Sequence, residues 1–126
     1  MSITLLGLRT VIHPSTDLKA DKDWWSTTLG IDPYFDQPFY VGFNVGGYEL
    51  GLLPDAAIAD GALVYWGVED VAAAIREALA NGAVKHTPAT DVGDGIITAT
   101  VRTPSQTILG FIYNPHFNLE AHTSHA

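Results

Sequence analysis

The chain has 126 residues, 47% hydrophobic and 16% charged, which is enough apolar material for a core and too little charge for a disordered chain. A formal net charge of −8 with only six scattered Lys and Arg argues against nucleic-acid binding, which needs a clustered basic face, and no apolar run reaches the ~20 residues of a membrane helix. Cysteine is absent, so disulfides, thiolate metal sites and cysteine nucleophiles are excluded; with no basic, cleavable leader at the N-terminus, the expected location is the cytoplasm.

In chain order, residues 5–13 (LLGLRTVIH) read as a strand, closed by Pro14 and Ser15. Residues 17–30 (DLKADKDWWSTTLG) read as a helix. Thr16 or Asp17 can accept from its free N–H groups, Leu18, Trp24, Trp25 and Leu29 form the buried side, and Gly30 is the stop. Lys19, Asp21, Lys22 and Asp23 are left for the opposite side. Three strands follow, at 31–36, 39–45 and 48–53. Gly46 and Gly47 make a tight turn between the last two, because glycine tolerates the positive φ a short hairpin needs.

Residues 54–61 read as a linker, after which the plan restarts. A strand at 62–68 leads to a helix that Glu69 and Asp70 begin and Asn81-Gly82 stops, with Val71, Ala74, Ile75, Ala78 and Leu79 on its buried stripe. Further strands fall at 84–87, interrupted by Pro88, at 96–102 and at 107–113. Asp17 and Asp70 lie 53 positions apart, and Gly30 and Gly82 lie 52 apart. This near-constant offset marks a duplication: module one at about 5–53, module two at about 62–114, and a tail at 115–126, within a single domain. The tail's His116, His122 and His125 have no periodic frame and read as a solvated end.

The order, spacing and duplication resemble the vicinal oxygen chelate superfamily, which includes glyoxalase I, extradiol dioxygenases and bleomycin-resistance proteins. The likeness covers about residues 6–115. It is carried by STDL (15–18), WWSTTLG (24–30), WGVEDVAAAIREALANGA (66–83) and TPSQTILGFIY (103–113), with Pro104-Ser105-Gln106 where the family usually has a Pro-Asp-Gly turn. The resemblance implies an α+β fold of two βαβββ modules. Their strands form a curled, cup-like mixed sheet with helices on its outer face, in a homodimer that holds a small molecule in the cup. Strand alternation then places Thr10, Ile12, Glu49, Gly51, Leu63, Tyr65, Ile108, Gly110 and Ile112 toward the cup. Val11, His13, Leu50, Leu52, Trp66, Phe111 and Tyr113 fall behind the sheet.

The metal positions implied by the resemblance fall on Thr10, Glu49, Leu63 and Gly110. A transition metal needs several His or carboxylate donors, and of these four only Glu49 is one, so neither metal nor cofactor is expected. The expected ligand-binding residues are Thr10, Ile12, Glu49, Leu63, Tyr65, Ile108 and Gly110, a mostly apolar cup with few polar groups. Phe39, Tyr40 and Phe43 add aromatic surface either to the cup or to the core. The first reading is a metal-free protein that sequesters a small hydrophobic or cationic aromatic compound. Two alternatives are a metal-free lyase or isomerase with Glu49 as catalytic base, and a metal enzyme joining Glu49 to His13 or a tail histidine. A structural role with a filled cup is the fourth.

Overall fold

The computed structural model describes residues 2–117. The elements run β1 (Leu8–Pro14), α1 (Leu18–Leu29), β2 (Phe35–Gln37), β3 (Tyr40–Val45) and β4 (Tyr48–Leu53), then β5 (Leu63–Gly67), α2 (Val71–Ala80), β6 (Val84–Asp91), β7 (Ile97–Arg102) and β8 (Ile108–Tyr113). The fold is therefore α+β, a βαβββ sequence of elements occurring twice, with parallel and antiparallel strand pairs. A single 3₁₀ turn, Ile58–Asp60, lies between the modules where a plain linker was expected. The chain divides into two compact units, residues 10–62 and residues 2–9 with 63–117. Among the described residues no helix is long and apolar enough to cross a membrane.

In module one, β1 pairs in parallel with β4, β4 antiparallel with β3, and β3 antiparallel with β2. In module two, β5 pairs in parallel with β8, β8 antiparallel with β7, and β7 antiparallel with β6. The two orders are the same. Local signals set the element ends in both. Asp17 caps α1 by accepting from the Ala20 N–H at 3.1 Å, and Asp70 caps α2 by accepting from the Ala73 N–H at 3.0 Å. Gly30 ends α1 in the left-handed region (φ 72°), its N–H donating to the Ser26 carbonyl.

Each helix covers one face of its own module. Val41, Phe43 and Leu52 pack with Leu18, Trp25, Leu29 and Leu50 under α1. Val68, Val71, Ala74, Ala78, Ala99, Val101 and Phe111 form the core under α2. The expectation that both tryptophans of α1 are buried is corrected here. Neighbours on a helix point about 100° apart, so the pair cannot share one face. Trp25 joins the core, while Trp24 stands edge-on to it, ring centroids 4.9 Å apart, and is 58% exposed.

Three strand limits also differ from expectation. The first strand begins at Leu8 rather than residue 5, leaving Leu5 and Leu6 exposed. The strand expected at 31–36 forms only at Phe35–Gln37. The strand expected to stop before Pro88 instead runs through it as β6. An edge strand tolerates proline because the missing N–H need not face a partner, and the pairing with β7 shifts register on either side of Thr87.

Candidate functional site

Module one places a carboxylate on the sheet face turned away from α1. Residues directly opposite in a pairing share a face. Glu49 stands opposite Thr10 on one side and Asn44 on the other, and Gly51 stands opposite Ile12 and Gly42. The alternating residues Val41, Phe43, Leu50 and Leu52 point into the α1 core.

Three hydroxyl groups donate to Glu49. Oε1 accepts from Thr10 Oγ1 at 2.7 Å and from the Tyr40 hydroxyl at 2.6 Å; Oε2 accepts from the Tyr34 hydroxyl. Thr10 is 4% exposed, and Tyr40 and Glu49 are half-buried. The ring of Tyr34 is largely exposed, at 63%, with only its hydroxyl turned in to the carboxylate. Burial, then the negative charge of Glu49, then the hydrogen bond to it, push the Tyr34 and Tyr40 phenols well above the ordinary tyrosine range. Both hydroxyls are thus held as donors.

Two glycines make this cluster possible. A Cβ on Gly51 would lie 1.9 Å from the Tyr40 oxygen, and one on Gly42 would lie 2.8 Å from Glu49 Oε2 and 3.1 Å from the Tyr34 ring. Side chains at those positions would occupy the space the two tyrosines use to reach the carboxylate. Tyr34 was not singled out from sequence, and Tyr40 was named only as aromatic surface of either the cup or the core. Mid-strand glycines at 42 and 51 were the available signal, because glycine inside a strand often marks a close approach of other atoms.

No protein-family model and no curated protein sequence matches the chain. Solved structures do match its backbone. Streptomyces coelicolor methylmalonyl-CoA epimerase in complex with 2-nitronate-propionyl-CoA aligns over 91% of this chain and 99% of that one, with TM-score 0.69 and 15% identity. A glyoxalase/bleomycin resistance protein/dioxygenase superfamily member from Vibrio splendidus 12B01 aligns over 84% and 97%, with TM-score 0.61 and 16% identity. An NAD-dependent benzaldehyde dehydrogenase from Legionella pneumophila aligns over 82% and 96%, with TM-score 0.65 and 18% identity. The chain has the vicinal oxygen chelate fold. At these identities the likeness carries the fold and no activity, and the differing activities of the matched proteins make the same point.

The residues that this fold sets at its metal positions do not suit an ion here. Glu49 is the one carboxylate, and it already accepts three O–H groups. Leu63, seven residues before the capping Asp70 as Thr10 is seven before the capping Asp17, carries no donor atom. Tyr65 stands opposite Gly110 as Thr10 stands opposite Glu49. Burial pushes the Tyr65 phenol above the ordinary tyrosine range, which keeps it a neutral hydroxyl and a poor ligand. Gly110 has no room for a donor, since a Cβ would lie 2.7 Å from the Tyr65 ring and 2.8 Å from the Val64 carbonyl oxygen. Among the described residues no three His, Asp or Glu gather as a metal-binding group.

The remaining expected site residues divide between the units. Thr10, Ile12 and Glu49 belong to module one, and the first and last of these touch. Leu63, Tyr65, Ile108 and Gly110 belong to module two, where Tyr65 lies against Gly110 and Ile108 stands opposite Arg102. His13 is on the α1 side, its ring 5.4 Å from that of Trp25, and so on the opposite face from Glu49. His116 Nε2 sits 2.8 Å from the Asp94 carbonyl oxygen; His122 and His125 lie outside the described residues. Phe43 is core, fully buried.

Proposed function

We propose that the chain binds a small organic cation, an amine carried on a hydrophobic body, at the Glu49 cluster, as a homodimer and without metal or cofactor. One observation carries this reading: every O–H in the cluster is spent on the carboxylate. A tyrosine or threonine hydroxyl has a single proton to give, and a carboxylate has about four lone-pair positions. What the cluster offers a ligand is therefore lone pairs only, on the hydroxyl oxygens and on the carboxylate, together with one negative charge. That is the complement of an N–H-bearing cation. The net charge of −8 adds long-range attraction of the same sign.

A unit charge pair about 4 Å apart near a protein surface gains roughly 4 kcal/mol, much of it offset by stripping water from the ammonium. Affinity must then come largely from apolar burial, at about 25 cal/mol per Å². Hence a hydrophobic amine is favoured over a bare ammonium ion.

Thermal-shift and calorimetric titration with hydrophobic amines, their neutral alcohol isosteres and matching carboxylates tests the reading. Amines raise Tm and alcohols and carboxylates do not. Glu49→Gln weakens the amines by about tenfold or more while the protein stays folded. Equal binding of amine and alcohol, or an unaffected Glu49→Gln protein, overturns it. Light scattering on the purified chain tests the homodimer, which requires twice the mass of one chain.

A second reading draws on the fold shared with methylmalonyl-CoA epimerase and on Glu49 Oε2, for which Tyr34 is the one described donor. In it Glu49 is a general base and the Tyr34 hydroxyl the adjacent acid, in a metal-free isomerase or lyase. Exchange of the acidic α-proton of methylmalonyl-CoA into deuterated water, abolished by Glu49→Gln, would select this reading over the first.

A further inference from the structure

Module one exposes a run of aromatic surface beside the carboxylate that the Glu49 hydrogen bonds do not use. Phe35 stands opposite Gly42 in the β2–β3 pairing, and Gln37 stands opposite Tyr40. Phe35 therefore shares the sheet face of Tyr40, Gly42 and Glu49. Its ring centroid is 6.2 Å from that of Tyr40 and 6.0 Å from that of Phe39, at the tip of the β2–β3 hairpin. Rings thus lead from the hydroxyl held on Oε1 out to the tip. Phe39 is 60% exposed and Phe35 is also exposed, while the core of this module lies on the opposite face. The space over Gly42 is taken by Oε2 and the Tyr34 ring, which lies beside this run of rings. Exposed aromatic surface that continues into a half-buried charge is the profile of a ligand groove.

We infer that Phe35 and Phe39 are the specificity-determining half of this site, and that the ligand is an aryl amine whose ammonium meets Glu49 Oε2 while its flat apolar group lies across the two rings. This rests on the cation-binding reading above. Charge decides between a small cation and a second copy of the chain as occupant. None of Thr10, Tyr34, Phe35, Phe39, Tyr40 and Glu49 is basic, so a second copy using the same patch would bring carboxylate toward carboxylate between two chains of net charge −8. An aryl amine brings the missing positive charge. Its ring adds edge-to-face contacts with Phe35 and Phe39, the arrangement aromatic pairs prefer.

The test compares methylammonium, a series of phenylalkylammonium ions of increasing tether length, and 2-phenylethanol, on the native chain and on the Phe39→Ala, Phe35→Leu and Glu49→Gln proteins. Binding is followed by NMR shift titration. Phe39→Ala alters an exposed side chain, and Phe35→Leu keeps the apolar contact with its neighbours, so both should fold. The native chain binds phenylalkylammonium ions more tightly than methylammonium, with an optimum at one tether length. Each phenylalanine substitution weakens the aryl amines by about five- to tenfold and leaves methylammonium unchanged. Aryl-amine affinity unchanged in both phenylalanine variants overturns the inference, as does an equal loss for methylammonium. If Glu49→Gln leaves every affinity intact while the phenylalanine variants lower that of the aryl compounds, including 2-phenylethanol, the cation reading fails and the aromatic wall stands. If no probe binds the native chain, both fail.

Discussion

Glu49 and Gly110 are the two last-strand residues at the metal positions implied by the fold. Each stands in the last strand of its module, directly opposite a residue of the first strand, Thr10 in one case and Tyr65 in the other. In module one the last-strand residue is a carboxylate that reaches out and gathers three hydroxyls, and the glycines are its neighbours, at 42 and 51. In module two the last-strand residue is itself the glycine, and the first-strand residue is the large one, with the Tyr65 ring lying over it. The next position across, Thr100, opposes Gly110 in β7 and is buried in a hydroxyl network with Thr87 and His86. One scaffold thus carries an acceptor-only, charged cluster in one copy and a packed, neutral surface in the other. Strand order and helix capping are common to both; what differs is that the Thr10–Glu49 pair keeps two polar side chains, whereas the Tyr65–Gly110 pair keeps one ring and a glycine.

The sharpest way to break this comparison is to put a Cβ at each glycine. At Gly110 the new atom meets the Val64 carbonyl oxygen, backbone of the paired strand that cannot swing aside, as well as the Tyr65 ring. Gly110→Ala should cost about 3 kcal/mol, at the upper end of typical overpacking penalties. At Gly51 the obstruction is the far end of Tyr40, which can move at the expense of its hydrogen bond to Glu49. Gly51→Ala should therefore cost less, about 2 kcal/mol, close to the net worth of a hydrogen bond to a charged group. Urea midpoints read both. A Gly51→Ala loss equal to or larger than that of Gly110→Ala would show that Tyr40 is as immovable as backbone.

Alkaline titration separates the modules more gently. The folded Tyr40 and Tyr34 phenols are raised above the unfolded value by burial and by the Glu49 charge, and Tyr65 is raised by burial alone. A raised folded value means that the native state keeps a proton the unfolded chain releases. The stability these phenols contribute is fully present below about pH 10, the unfolded tyrosine value, and is lost as pH climbs toward the folded values. The tyrosinate absorbance of Tyr34, Tyr40 and Tyr65 should appear late in the native protein, with a fall in urea midpoint above about pH 10. Glu49→Gln should bring forward the ionisation of Tyr34 and Tyr40 and leave that of Tyr65 in place. Earlier ionisation of all three would mean the charge is not the local cause it is taken to be.

The sequence made half of this comparison legible. The Asp17/Asp70 and Gly30/Gly82 offsets disclosed the duplication because caps are local and follow from residue type. Strand alternation placed Glu49 and Thr10 on one face for the same reason, and those two do touch. Tyr34 escaped because it precedes β2 in an irregular segment where no alternation applies, held by its N–H to the Gly42 carbonyl. Tyr40 escaped because a run of aromatic residues at 39–43 has no polar members to phase it. Leu63 keeps the helix-cap offset of Thr10, while the residue opposite Gly110 is Tyr65. Register is a property of the paired strands, so an offset read from the caps does not tell which residues stand opposite each other.

The smallest expected effect tests whether the module-one cluster is a binding device or merely a satisfied set of polar groups. Thr10 and Tyr40 are enclosed and share Oε1, whereas Tyr34 is largely exposed and is the one described donor on Oε2. A ligand cation approaching Oε2 arrives beside Tyr34 and competes with it. Tyr34→Phe removes the competing hydroxyl and keeps the ring that packs over Gly42. Because the Tyr34 ring is largely exposed and water can replace the lost hydroxyl at Oε2, stability should fall by about 1 kcal/mol. Amine affinity should rise two- to threefold, roughly 0.5 kcal/mol, through release of the lone pair the hydroxyl had occupied. Tyr34→Ala should lose that gain, since the ring itself is then missing from the ligand's apolar surroundings. A Tyr34→Phe protein that binds amines more weakly than the native chain would instead make the Tyr34 oxygen a direct acceptor for the ligand, and the carboxylate one partner of two.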